Sequence, residues 1–92
     1  MMDEETILKK YGRKGRLTHL PAKESPRLEV LAWLASRFDP GIDYPESEVN
    51  CRLAGHEVDY AYLRRLLVDY GFLTRAGGIY RRVPSSPNTP AG

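Results

Sequence analysis

The stretch from Asp59 to Val83 constrains the fold most, because a helical apolar pattern gives way there, within a few residues, to an extended one. Leu63, Leu66, Leu67 and Tyr70 stand at i, i+3, i+4 and i+7, the spacing of one helix face. Asp59 offers an N-cap oxygen and Gly71 a C′ glycine, so the spacing predicts a helix over 60–70. Phe72-Leu73-Thr74-Arg75, the turn Ala76-Gly77-Gly78 and Ile79-Tyr80-Arg81-Arg82-Val83 then read as a β-hairpin. A helix followed at once by a two-stranded hairpin excludes a plain three-helix bundle. The partners that bury the leucine stripe must come from upstream.

Two upstream helices are predicted. Ser25-Pro26 reads as the start of the first, which runs to about Phe38. Leu28, Leu31, Leu34 and Ala35 form its stripe, Val30, Trp33 and Phe38 widen it, and Asp39-Pro40-Gly41 stops it. Ile42-Asp43-Tyr44 is a short extended bridge. Pro45, Glu46, Ser47 and Glu48 put proline and acids in the first turn of a second helix, which ends at Gly55 and turns Val49 and Leu53 inward. Gly55-His56-Glu57-Val58 has the length of a helix-turn-helix connection. The expected fold is α+β and winged helix-turn-helix-like: three helices plus a C-terminal two-stranded β-hairpin, over residues 17–83. Its core is Leu28, Leu31, Leu34, Val49, Leu53, Leu63, Leu66 and Leu67. Residues 1–16 read as a flexible basic segment or as a short helix docked on the domain: Ile7, Leu8 and Tyr11 stand at helical spacing, and Gly12 and Gly15 limit the helix. Residues 84–92, with three prolines, read as a disordered tail.

A chain of 92 residues allows one small domain, and at this size only about 60% of the unfolded chain's surface is buried. A large enclosed catalytic cavity is not expected. The net charge of +2 says little, but its distribution is uneven: residues 1–25 carry six basic and four acidic side chains, 26–58 three and six, and 59–92 five and two. An acidic middle between basic ends suits a molecule with one basic face and an anionic partner. Cys51 is the single cysteine, so no intramolecular disulfide exists, and on its helix it reads as a small buried hydrophobe. The first ten residues lack the apolar core of a secretory signal, and no run is long and apolar enough to span a membrane. The expected location is cytoplasmic.

Enzyme motifs are absent: there is no phosphate-binding glycine loop, no G-x-S-x-G and no cysteine with a placed histidine. Glu46 and Glu48, two apart on a helix, do not face each other as an acid–base pair. Cys51, His56, Asp59 and His19 lack the spacing of a metal site, so neither metal nor cofactor is expected. The expectation is a protein that is not an enzyme.

The residues best suited to a partner are basic. With the leucines turned inward, Arg64 and Arg65 lie on the outward face of the third helix, the one that enters the major groove in a winged helix. Arginine there forks onto guanine O6 and N7 or onto phosphate. Arg75, Arg81 and Arg82 flank the hairpin turn, where a wing reaches the adjacent backbone, and Arg13, Lys14 and Arg16 form a basic arm. The bland alternative is that Arg65 pairs with Asp69, and Arg64 or Arg65 with Glu48 or Asp59, fixing the fold rather than reading DNA. A second class of function is a protein-interaction or dimerisation module that uses Trp33, Tyr62 and Tyr70. Six tyrosines against two phenylalanines suit such an interface, although roofing a small core accounts for most of them. DNA, a protein partner and a second copy of the chain are the partners these residues suggest.

The run Glu48-Val49-Asn50, then Asp59 followed by Leu63-Arg64-Arg65-Leu66-Leu67-Val68-Asp69-Tyr70-Gly71-Phe72-Leu73-Thr74-Arg75 and Tyr80, resembles a bacterial domain family of unknown function. Members of that family occur alone or fused C-terminal to ArsR-type winged-helix regulators. The resemblance spans about Leu17 to Val83 and implies an association with transcription. Pro45 stands where the family pattern has threonine, and no separate regulator domain is present in this chain.

Overall fold

The helix foreseen over 60–70 is α4, Tyr60–Asp69, the fourth of four helices in the computed structural model, which describes residues 4–83. Residues 1–3 and the proline-bearing 84–92 tail lie outside the described residues. The Asp59 carboxylate accepts from Ala61 N–H at 3.2 Å, capping α4 as its sequence predicts. At the other end Gly71, at φ 81°, and Phe72 donate to the carbonyls of Val68 and Leu67, the paired bonds of a Schellman turn. Leu63, Leu66 and Leu67 are buried.

The remaining elements are α1 (Glu4–Tyr11), β1 (Gly12–Arg13), β2 (Arg16–Leu17), α2 (Glu24–Ala35), β3 (Asp43–Pro45), α3 (Glu46–Leu53), β4 (Leu73–Ala76) and β5 (Ile79–Arg82). Four helices replace the three expected, because residues 4–11 form α1 and insert Ile7 into the core. Gly12 ends that helix and begins a tight hairpin, β1–β2, that returns the chain and buries Leu17. Of the two readings of the basic stretch, a flexible arm or a short docked helix, the described residues take the helix, and a hairpin follows it.

Helix α2 begins at Glu24, before the predicted Ser25-Pro26 start. Arg27 N–H bonds Lys23 O in the first turn, and a proline anywhere in that turn wastes no intrahelical donor. It ends at Ala35 rather than Phe38: Ser36, Arg37 and Phe38 donate to the carbonyls three residues back, tightening the last turn. Phe38 is still fully buried, and Leu28 is only half-buried. Pro45 caps α3 instead of sitting in its first turn, and the Glu46 N–H is satisfied by Gly78 O at 3.0 Å. Cys51 is exposed, contrary to its expected burial.

The C-terminal hairpin forms with the foreseen turn, Ala76 opposite Ile79, but it is two-thirds of a sheet. The bridge residues pair as β3 along β5, giving the antiparallel order β3-β5-β4 with Tyr44 opposite Tyr80. Both rings face the core. Tyr80 Oη donates to Glu46 Oε1 at 3.1 Å and Tyr44 Oη accepts from Asp39 N–H at 2.8 Å, so neither hydroxyl is buried without a partner. No described helix is long and apolar enough to cross a membrane.

Candidate nucleic-acid interface

An open groove of about 580 Å³ is lined by helix α4 and the β4–β5 hairpin. Ala61, Arg64 and Val68 rise from one row of α4, Tyr62, Arg65 and Asp69 from the next, and Arg75 comes from β4. Leu63, Leu66 and Leu67 hold the inward face, so the arginine-bearing rows have nowhere else to go. Asp59 and Asp69 also line the groove, one at each end of the helix. Three guanidiniums against two carboxylates leave it net positive.

The three arginines differ in freedom. Arg64 is half-buried and its Nη1 donates to Asn50 Oδ1, which ties α4 to α3. This latch is neither of the carboxylate pairings weighed above. Arg65 lies 3.6 Å from Asp69, the foreseen i,i+4 pair, but its side chain is 80% exposed. A pair so exposed contributes little and leaves the guanidinium free to exchange partners. The Arg75 side chain is exposed and makes no hydrogen bond or ion pair among the described residues.

The other sequence-derived candidates lie elsewhere. Arg81 Nε donates to Asp43 Oδ1 at 2.8 Å across the β3–β5 pair. Arg82 Nη1 donates to Phe38 O at 3.0 Å. Both are engaged on the side of the sheet toward β3, away from the α4 groove. Arg13 and Lys14 stand exposed on the β1–β2 hairpin, with Lys14 at φ 55°, and Arg16 lines a separate cavity beside α1. Of the three aromatic candidates, Tyr62 is exposed in the groove, while Trp33 and Tyr70 are partly buried against the core.

Asn50 lies in the Glu48-Val49-Asn50 run, but nothing in the sequence marks its role. An amide facing an arginine across two helices leaves no periodic trace. No group of three histidine, cysteine or acidic side chains is placed to hold a metal among the described residues.

His56, weighed above as a metal ligand and placed in the α3–α4 turn, makes a structural contact. Its Nδ1 accepts the Leu17 N–H at 3.0 Å, while Glu57 N–H donates to Leu17 O at 2.8 Å, so the α3–α4 connection clasps β2. Burial, together with the charges of Arg37 and Arg16, holds the imidazole below its ordinary pKa near 6.5. The neutral form is the one that accepts at Nδ1.

Fold and groove together define a small α+β domain that displays arginines from one helix and the adjoining hairpin. Residues 16–82 match the family described as uncharacterized protein conserved in bacteria (DUF2087), and the chain belongs to that family. The match includes α4, the three-stranded sheet and Asn50, and leaves α1 and β1 outside. No curated protein and no solved structure matches the chain.

Proposed function

We propose that the chain is a non-enzymatic regulatory module of the winged helix-turn-helix type that binds DNA through α4 and the β4–β5 hairpin. One observation carries the reading: Arg64, Arg65 and Arg75, from two elements, meet with Tyr62 in one open groove. In this reading Arg65 and Arg75 contact phosphate or base edges, and Arg64, latched to Asn50, sets the orientation of the α4 face. Asp59 and Asp69 at the ends of α4 confine the approach of phosphate to the middle of the helix. The order helix, turn, helix, hairpin from α3 to β5 supports the winged-helix assignment. An association with transcription, as in members fused to ArsR-type regulators, agrees with it.

The interaction-module reading has its own observation. Tyr60, Tyr62 and Ile79 are exposed large side chains on α4 and the hairpin. An aromatic interface responds little to salt, whereas phosphate contacts weaken steeply with it. Fluorescence anisotropy of a labelled random-sequence duplex at several salt concentrations therefore separates the two. DNA binding predicts an affinity that falls with salt and is weakened in a folded Arg65→Ala/Arg75→Ala double variant. No binding at low salt, or equal binding by the variant, refutes it.

A further inference from the structure

A second cavity, of about 450 Å³, opens where α1, β2, the end of α2 and the α3–α4 connection meet, and it shares no lining residue with the α4 groove. Glu4, Arg16, Trp33, Arg37, Arg52 and His56 form its wall. Three arginines converge there, and they are not equally occupied. Arg52 is the most engaged: its Nε donates to Glu48 Oε2 at 3.0 Å and its Nη1 to Arg37 O at 3.3 Å, and its guanidinium lies 4.9 Å from the Tyr44 ring. Arg37 is answered by the Glu4 carboxylate alone, at 2.9 Å, and lies 5.7 Å over the Trp33 ring. The Arg16 side chain has no hydrogen-bond or ion-pair partner among the described residues.

The Glu4–Arg37 contact shows which chemistry this cavity accepts. A carboxylate from the first turn of α1 reaches across to the end of α2 and leaves Arg16 unanswered. Glu4 is part of the same chain and holds its place at high effective concentration, so an external monocarboxylate competes poorly with it. A dianion gains what Glu4 does not: a second guanidinium. His56 adds a donor, because an imidazole accepting at Nδ1 carries its proton on Nε2. The edge of the His56 ring packs on Trp33 at 5.9 Å, so the indole supplies an apolar wall beside the charges. The volume exceeds what a bare inorganic ion fills.

We propose that this cavity binds a small organic phosphate monoester, its phosphate bridging Arg16 and Arg37 in place of the Glu4 carboxylate and its organic part lying against Trp33. Such a phosphate carries about −1.5 to −2 charge at pH 7, enough to answer both arginines. The charged groups facing His56 are Arg16 from β2, Arg37 from α2, Arg52 from α3 and Glu4 from α1. A dianion seated among them offsets the two arginines that disfavour imidazolium, so binding raises the His56 pKa.

Trp33 is the only tryptophan, so its fluorescence reports the cavity directly. Phenyl phosphate is titrated into the full chain at pH 7.5 and constant ionic strength, with inorganic phosphate and benzoate as comparisons. The expected result is a saturable change for phenyl phosphate, with benzoate binding at least ten-fold more weakly. Arg16→Gln and Arg37→Gln each weaken binding about ten-fold or more, Glu4→Gln tightens it, and Arg65→Gln leaves it unchanged. The Arg16 side chain is exposed and bonds no other element, and Arg16→Gln leaves its backbone pairing with Arg13 in place, so the fold is kept, and the NMR titration of His56 with and without ligand gives a second readout. A linear response, indifference to Arg16→Gln or loss of binding in Arg65→Gln would overturn the proposal. Failure of Glu4→Gln to tighten binding, or an unmoved His56 pKa, also counts against it.

Discussion

Replacing Ile7 by alanine tests whether α1 belongs to the domain. Ile7 is fully buried in the same cluster as Leu17, Leu31 and Leu67, with Leu8 and Tyr11 packed beside it. Removing its outer carbons from such a site costs about 2–5 kcal/mol, the lost transfer energy plus the cavity left behind. Domains carry roughly 5–15 kcal/mol in total, and a chain this short falls toward the lower end. The substitution therefore removes a large fraction of the stability. With a urea slope of about 1–1.5 kcal/mol per molar, a loss of about 3 kcal/mol lowers the unfolding midpoint by about 2–3 M. The assay is urea unfolding followed by circular dichroism and by Trp33 fluorescence, and Glu5→Ala on the exposed face of α1 is the control, expected within about 0.5 kcal/mol of the parent. A midpoint shift below about 0.3 M for Ile7→Ala would show that α1 does not pack on the core.

Three other perturbations have defined outcomes. The folded state holds His56 below its ordinary pKa, so the unfolded chain binds more protons in mildly acid solution. Its contribution is complete above pH 6.5 and is lost as pH falls from there toward the depressed folded value; urea midpoints between pH 5 and 7.5 should decline more in the parent than in His56→Gln, and parallel declines would contradict this. A β-carbon on Gly12 meets Arg16 O at 2.5 Å, a backbone atom of the opposing strand, so Gly12→Ala should lower the thermal midpoint by several degrees; an unchanged midpoint would mean that the β1–β2 hairpin is not closed as described. Lys14 sits in the left-handed region at φ 55°, which costs a side-chain-bearing residue about 1–2 kcal/mol, partly offset on substitution by the extra unfolded-state entropy of glycine. Lys14→Gly should stabilise by about 0.5 kcal/mol in urea unfolding, and destabilisation would contradict the turn geometry.

The α4 cap, the leucine stripe, Gly71 and the C-terminal turn were legible because each is a local rule written in neighbouring residues. Arg64, Arg65 and Arg75 were legible as candidates for the same reason: the inward leucines dictate which way the others point. What escaped is long-range. Helix α1 carries one fully buried side chain, Ile7, and its eight residues fall below what propensity alone sustains, so packing decides it. Strand β3 is three residues long, and only its pairing with β5, far along the chain, makes it a strand. The Arg64–Asn50 latch, the Arg81–Asp43 pair, the Arg82 bond to Phe38 O and the His56 clasp on Leu17 join positions that sequence spacing cannot relate. These contacts occupy Arg64, Arg81 and Arg82, and Arg13, Lys14 and Arg16 do not line the α4 groove, so the candidate interface narrows from eight basic residues toward Arg65 and Arg75.

The salt dependence of duplex binding by the parent and by Arg65→Ala/Arg75→Ala tests that interface most directly. Each phosphate neutralised adds about 0.9 to the magnitude of the log–log slope. The parent should bind a random duplex with an affinity that falls as salt rises. The folded double variant should bind more weakly, with a slope shallower by about 2. A parent that does not bind at low salt, or a variant with the same affinity and slope, would contradict a DNA-binding role for the α4 groove.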